Sequence, residues 1–299
     1  MRTGIVEYKN FGKCIELSAG GIKAVATLDV GPRIIYYGTD KKNMLFEDIG
    51  RAVKNGGEYF DKNFKKGEMW NIYGGHRMWK SPEDDASYVP DNYPIKYETD
   101  GGAATLFGNL QSNTRLQFKM SLEMKDDGAL SVVHTIENKG AYTAELAVWA
   151  ITVLAGGGVE IIPFNTNDTG FLPNNFFAFW PYDDPNDKRL SFDGGNVFLT
   201  QKPGAESPFK LGLLCKKGVA GYLNDGLLFI KKFPYQNGAR YPDNNCNYET
   251  YTSGLILEME SLSPVFAVEP NGSVSHAEEF GLVLNVKDKE HAARLLREA

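Results

Sequence analysis

Cysteine is scarce in this chain. Cys14, Cys215 and Cys246 are odd in number, far apart and never in a Cys-x-x-Cys pair. That argues against a disulfide framework and against a cysteine zinc site, and it fits a reducing cytoplasm, the expected location. Long apolar runs are missing as well. The most apolar stretch, 146–154, stops at Gly156-Gly157-Gly158, far short of the roughly 20 residues a membrane-spanning helix needs. The first nine residues carry no apolar signal run, so the Asn-x-Ser/Thr matches at Asn167 and Asn271 are read as chance. Basic tracks are absent too. With 32 Lys and Arg against 38 Asp and Glu, the formal charge is −6, and the short cluster Lys62, Lys65, Lys66 sits beside Asp61 and Glu68. Neither a nucleic-acid nor a membrane partner is expected. There is no P-loop, and the triple glycine has Ile161 where a dinucleotide fingerprint needs its third glycine, so no nucleotide cofactor is expected.

What the chain has in quantity is short runs of alternating polarity. Residues 12–18 and 21–30 read as strands broken at Ala19-Gly20, and 33–37 follows Gly31-Pro32. Alternation is clearest in 114–124, where Leu116, Phe118, Met120, Leu122 and Met124 share one face. Asp126-Asp127-Gly128 then turns the chain into 130–137, and 142–154, apolar on both faces, predicts a central strand covered on both sides. Strands are expected again at 197–200, 209–215, 218–223, 227–233, 247–252 and 254–261. Asp288 is expected to cap one short helix with Ala292, Leu295 and Leu296 on a face. The sum is an all-β chain of antiparallel strands with a few short helices, in a single domain over 1–299.

Three stretches break the pattern: 70–92, 161–189 and 234–245. They are rich in Trp, Tyr, Asn, Asp and Gly. Polar loops on a sheet scaffold economically surround one site. Their carboxylates, amides and arginines can pair with hydroxyls, and their rings can cover C–H faces, which points to a small-molecule carbohydrate.

Gly-Gly-His-Arg-Met-Trp-Lys-Ser-Pro-Glu (74–83) with Pro-Asp-Asn (90–92) is one distinctive segment. Others are Val-His-Thr-Ile-Glu-Asn-Lys-Gly (133–140) running on to Trp149, and Leu-Glu-Met-Glu (257–260) before Pro270-Asn271-Gly272. In this order they resemble an uncharacterised bacterial branch of the galactose mutarotase-like superfamily, which includes the aldose 1-epimerases. The resemblance implies a β-supersandwich with a sugar cleft on the concave face of one sheet and no metal or cofactor. It also implies an isomerase that interconverts anomers with a late glutamate as base and a histidine as acid.

Residue by residue, the resemblance assigns the base to Glu258, with Glu249 and Glu260 as rivals, and the acid to His76. Arg33, Arg77 and Asp243 become candidates for gripping sugar hydroxyls, and Trp70, Trp79, Trp180 and Tyr182 for stacking on the ring. Glu258 and Glu260 are expected to share a strand face with Gly254 and Ile256, opposite Leu255, Leu257 and Met259. His134 reads as a core residue, and His276 and His291 as surface residues. The chain departs from the family at 165–175, where a second histidine motif should fall and no histidine stands. Two alternatives follow: a carbohydrate-binding or sensing protein without turnover, or another enzyme, such as a lyase, acting on an acidic or phosphorylated sugar.

Overall fold

Alternating sequence becomes two large antiparallel sheets in the computed structural model, which describes residues 2–299. One sheet has twelve strands. Its path runs from Arg2–Glu7 through Lys13–Ala19, Ile22–Thr27, Ile34–Thr39, His76–Ser81, Ala144–Ala155, Ile256–Leu262, Tyr248–Thr252 and Phe209–Leu213 to Phe177–Phe179. The other has ten, with Val159–Pro163, Val219–Asn224, Leu227–Lys232, Ser273–Leu284, Leu130–Asn138 and Leu116–Met124 in its middle. Inward residues of both, among them Tyr37, Met120, Leu122, Leu154, Tyr222, Phe229, Met259 and Phe280, form one continuous apolar core. Sheets packed face to face bury alternate residues, which is why the period of two is legible along most of the chain.

The strand Ala144–Ala155 lies between His76–Ser81 and Ile256–Leu262 and is buried from Leu146 to Leu154, because both of its faces are covered. The turn at 19–22 is a two-residue hairpin whose Gly20 and Gly21 both hold positive φ, a backbone that glycine adopts without strain. At the C-terminus Asp288 accepts from the His291 backbone N–H and starts the helix Lys289–Glu298, whose Ala292, Ala293 and Leu296 cover the outer face of the second sheet.

One expectation fails and one element goes unforeseen. The stretch 70–92 is not loop throughout, because His76–Ser81 is a central strand of the first sheet. The long strand Ser273–Leu284, which no alternation announced, lies in the middle of the second. Both carry polar residues on buried faces, which hides their periodicity. Among the described residues no helix is long and apolar enough to cross a membrane, and all three cysteines are buried and free.

Candidate functional site

The outer face of the first sheet is concave where five strands meet, and strand register sets its floor in rows. Trp79, Trp149 and Leu262 stand opposite one another, then Arg77, Ile151, Glu260 and Glu249, then Val153, Glu258, Tyr251 and Lys210. Opposed residues on adjacent antiparallel strands share a face. Loops complete the walls with Trp70, Glu83, Tyr88, Trp180 and Tyr182. The cavity holds about 650 Å³, inside the range of roughly 300–1,000 Å³ of small-molecule sites. All four tryptophans of the chain line it.

Two cations organise these rings. The Arg77 guanidinium lies 4.6 Å from the Trp79 ring centre and 5.4 Å from that of Trp70. Its Nε and Nη1 have no hydrogen-bond partner, and Nη2 stands 3.9 Å from Glu258 Oε1, too far for a direct bond. Nε and Nη1 are closed off from the cavity, so the donor left for an incoming oxygen is Nη2. Lys210 Nζ, by contrast, is engaged by two carboxylates. It sits 4.7 Å from both the Trp149 and Trp180 ring centres and pairs with Glu249 at 2.9 Å and Glu260 at 3.0 Å. Glu260 also accepts from the Trp149 indole N–H at 2.8 Å.

The electrostatics separate the three glutamates. Burial pushes Glu258 up to about 7, Glu260 adding to the effect and Arg77 opposing it. Its side chain keeps 14% of its surface exposed in the cleft, so a base poised near neutrality can reach a ligand. Glu249 is pushed up to about 8, again by burial, because one ammonium between two buried carboxylates leaves a charge uncompensated. Burial would lower the Lys210 ammonium, yet Glu260 and Glu249 together hold it well above its usual value.

The cleft therefore gathers Trp70, Arg77, Trp79, Trp180, Tyr182, Glu258 and Glu260 from the sequence candidates. Glu249, beside Glu260 on the next strand, does not line the cavity and pairs with Lys210 at its wall. Three candidates are elsewhere. His76 is fully buried on the opposite face of its strand, between the sheets, with Nδ1 on Thr152 Oγ1 at 2.8 Å and Nε2 3.0 Å from His134 Nε2. Because residues 76 and 77 are neighbours in a strand, placing Arg77 in the cleft turns His76 away from it. Burial also drives the His76 pKa well below its usual value, so the imidazole is neutral and the acid assignment is withdrawn. Arg33 is fully buried too, bonded to Ile72 O at 2.7 Å and paired with Asp91, where it ties the 70–92 stretch to the sheet edge. Asp243 is exposed in a tight turn with positive φ and does not line the cavity. His276 is buried rather than at the surface, and Leu255 is exposed on the cleft rim rather than in the core.

Lys210, Trp149, Tyr251, Tyr88 and Glu83 were not singled out from the sequence. Lys210 had a visible signal, a lone lysine within the apolar strand Phe209–Leu213. Tyr88 donates to Glu83 Oε1 at 2.5 Å, a pairing within one loop that no periodicity reveals.

No family model and no curated protein sequence matches the chain. Solved structures do. A galactose mutarotase-like protein from Clostridium acetobutylicum superposes at TM-score 0.53 with 14% identity, over 95% of this chain and 99% of that one. Another from Lactobacillus casei gives 0.52 at 12%, over 90% and 100%. A Klebsiella pneumoniae protein described as a candidate aldose 1-epimerase gives 0.60 at 10%, over 96% and 82%. At such identities the likeness is one of fold, and the fold is the galactose mutarotase-like β-sandwich.

Proposed function

We propose that this chain uses its galactose mutarotase-like sandwich to bind a small carbohydrate in the tryptophan-lined cleft and to interconvert its anomers, with Glu258 as general base. One observation carries the reading: a carboxyl tuned to about 7 stands beside a guanidinium whose Nη2 is free to donate, under the only tryptophans of the chain. Indole faces suit the C–H faces of a pyranose, and Arg77 suits its hydroxyls. Glu258 would take the proton of the anomeric hydroxyl while water, or the hydroxyl of Tyr88 or Tyr251 in the same cleft, returns one to the ring oxygen. The ring then opens, rotates about one bond and recloses. Proton transfers of this kind contribute on the order of 10²- to 10⁴-fold each. The fold and the three free cysteines are compatible with action in the cytoplasm.

The absence of any histidine from the cleft lining, among the described residues, favours a second reading: a carbohydrate-binding protein without turnover. One experiment separates the two. Magnetisation-transfer NMR across a panel of aldoses reports binding and anomer exchange together. Exchange accelerated by the wild type and lost in Glu258→Gln supports the isomerase. Line broadening without acceleration supports the binder, and neither response to any sugar overturns both.

A further inference from the structure

Behind the cleft wall, on the far side of the same strands, the two sheets are joined by a polar cluster that the proposed function does not use. His76 comes from the first sheet, His134 and Glu278 from adjacent strands of the second, and all three side chains are fully buried. Their free atoms converge. His76 Nε2 is 3.0 Å from His134 Nε2 and 3.4 Å from Glu278 Oε2, and His134 Nε2 is 3.2 Å from Glu278 Oε2. We propose that these three residues form a divalent metal site, zinc by preference, that staples the two sheets together behind the cleft.

The spacing is that of a coordination shell. With metal–ligand bonds of about 2.0–2.1 Å, neighbouring donors lie about 3.3–3.4 Å apart in a tetrahedron and about 2.8–3.0 Å apart at octahedral right angles. The three observed distances fall between these limits. The protonation of the triangle depends on the His76 tautomer. Glu278 Oε1 pairs with Lys231 Nζ at 2.9 Å and accepts from Ser261 Oγ at 2.5 Å, so the carboxyl is ionised and Oε2 brings no proton. Where the Thr152 hydroxyl donates to His76 Nδ1, the Nε2–H of His76 faces the other two residues and hydrogen bonds hold the cluster. Where His76 Nδ1–H donates to Thr152, the His76–Glu278 edge sets lone pair against lone pair. A cation at the centre would select the second tautomer and use all three lone pairs.

The surrounding contacts are those a metal site needs. Thr152 orients one imidazole, while Ser261, itself 2.7 Å from His276 Nε2, and Lys231 hold the carboxylate by its other oxygen; the outer nitrogen of His134 alone has no partner. Lys231 Nζ also lies 2.8 Å and 2.9 Å from the carbonyls of Ala150 and Met259 and 3.0 Å from Thr152 Oγ1, so its three N–H groups are shared among four acceptors. The Lys231–Glu278 pair is neutral, so the bound dication leaves a local charge of +2, the same as in a three-histidine zinc site. With two imidazoles and one carboxylate, the donor set is the intermediate type that zinc and neighbouring first-row metals share. The spacing of cysteines gave no hint of it because the site contains none.

Metal analysis tests this. The wild type, grown with zinc and purified without chelator, is expected to carry about one equivalent of zinc or another first-row metal per chain. Cobalt introduced by unfolding and refolding should give visible ligand-field bands, and metal removal should lower the melting temperature. His134→Gln and Glu278→Gln should lose the metal, whereas His276→Gln, which changes only a more distant contact, should keep it. Should a variant not fold, the wild-type stoichiometry and the cobalt spectrum still decide. Metal far below one equivalent after refolding with zinc or cobalt, or unchanged metal in folded His134→Gln, would overturn the site and leave a purely hydrogen-bonded cluster.

Discussion

Glu258 and Arg77 are the residues on which the chemistry turns, and their coupling is measurable. A general base must be ionised, so exchange is expected to rise with pH through an inflection at about 7 and then level off. Arg77 opposes the burial that raises Glu258. Arg77→Gln should therefore move that inflection upward by about one unit and weaken sugar binding, because the Nη2 donor is lost. A pH–rate profile that keeps its inflection in the variant would show that the two groups are not coupled. The resemblance nominated both residues through the motifs around them: a guanidinium beside a Gly-Gly turn and a late carboxylate in a Leu-Glu-Met-Glu strand. It misdirected the acid because adjacent strand residues face opposite ways, and nothing in Gly-Gly-His-Arg says which of the two faces the cleft.

At the level of elements, legibility followed the chemistry of the buried faces. Leu116–Met124 reads as a strand because its inward face is wholly apolar. Ser273–Leu284 does not, since its inward residues Val274, His276, Glu278 and Phe280 put a histidine and a glutamate where apolar side chains are looked for. His76–Ser81 is hidden for the same reason. The entry to that strand is Gly74-Gly75, both at positive φ, where a Cβ on Gly75 would lie 2.2 Å from the Ile34 carbonyl oxygen. Gly75→Ala should cost on the order of 2–4 kcal/mol, read by chemical denaturation, and should weaken sugar binding by shifting Arg77. Asp288→Ala removes the side-chain acceptor at the start of the last helix. It should cost only about 1 kcal/mol and leave the cleft intact, so the pair of variants separates a local helix end from the wall of the site.

For the whole molecule, the unusual property is how many ionisable groups lie on or between its sheets, and pH is the variable that reports them. Glu160 of the second sheet is fully buried and accepts from the Tyr248 hydroxyl of the first at 2.5 Å, while its other oxygen has no partner. Burial pushes it up to about 8, against the opposing pull of the nearby Thr250 hydroxyl and the Tyr248 hydrogen bond. The folded chain therefore keeps a proton there that the unfolded chain releases near the ordinary carboxylate value. Between those two values the unfolded state binds fewer protons, so stability falls as pH rises, at about 1.4 kcal/mol per pH unit for this group. Above about 8 both states are ionised and the slope vanishes. Glu249 and Glu258 act in the same direction, whereas His76 and His276, which burial holds below their usual value, act oppositely up to about pH 6.5, so the wild type should lose stability most steeply between about pH 6.5 and about pH 8. In Glu160→Gln one of the three contributions is gone. The amide brings its own constant offset, since it too leaves one polar atom unpaired, but that offset does not vary with pH. The comparison is therefore between slopes and not absolute stabilities: denaturation midpoints of the variant should decline less steeply than those of the wild type over this range. Parallel declines would mean that Glu160 is already ionised in the folded chain, with water or a cation reaching between the sheets to accommodate it.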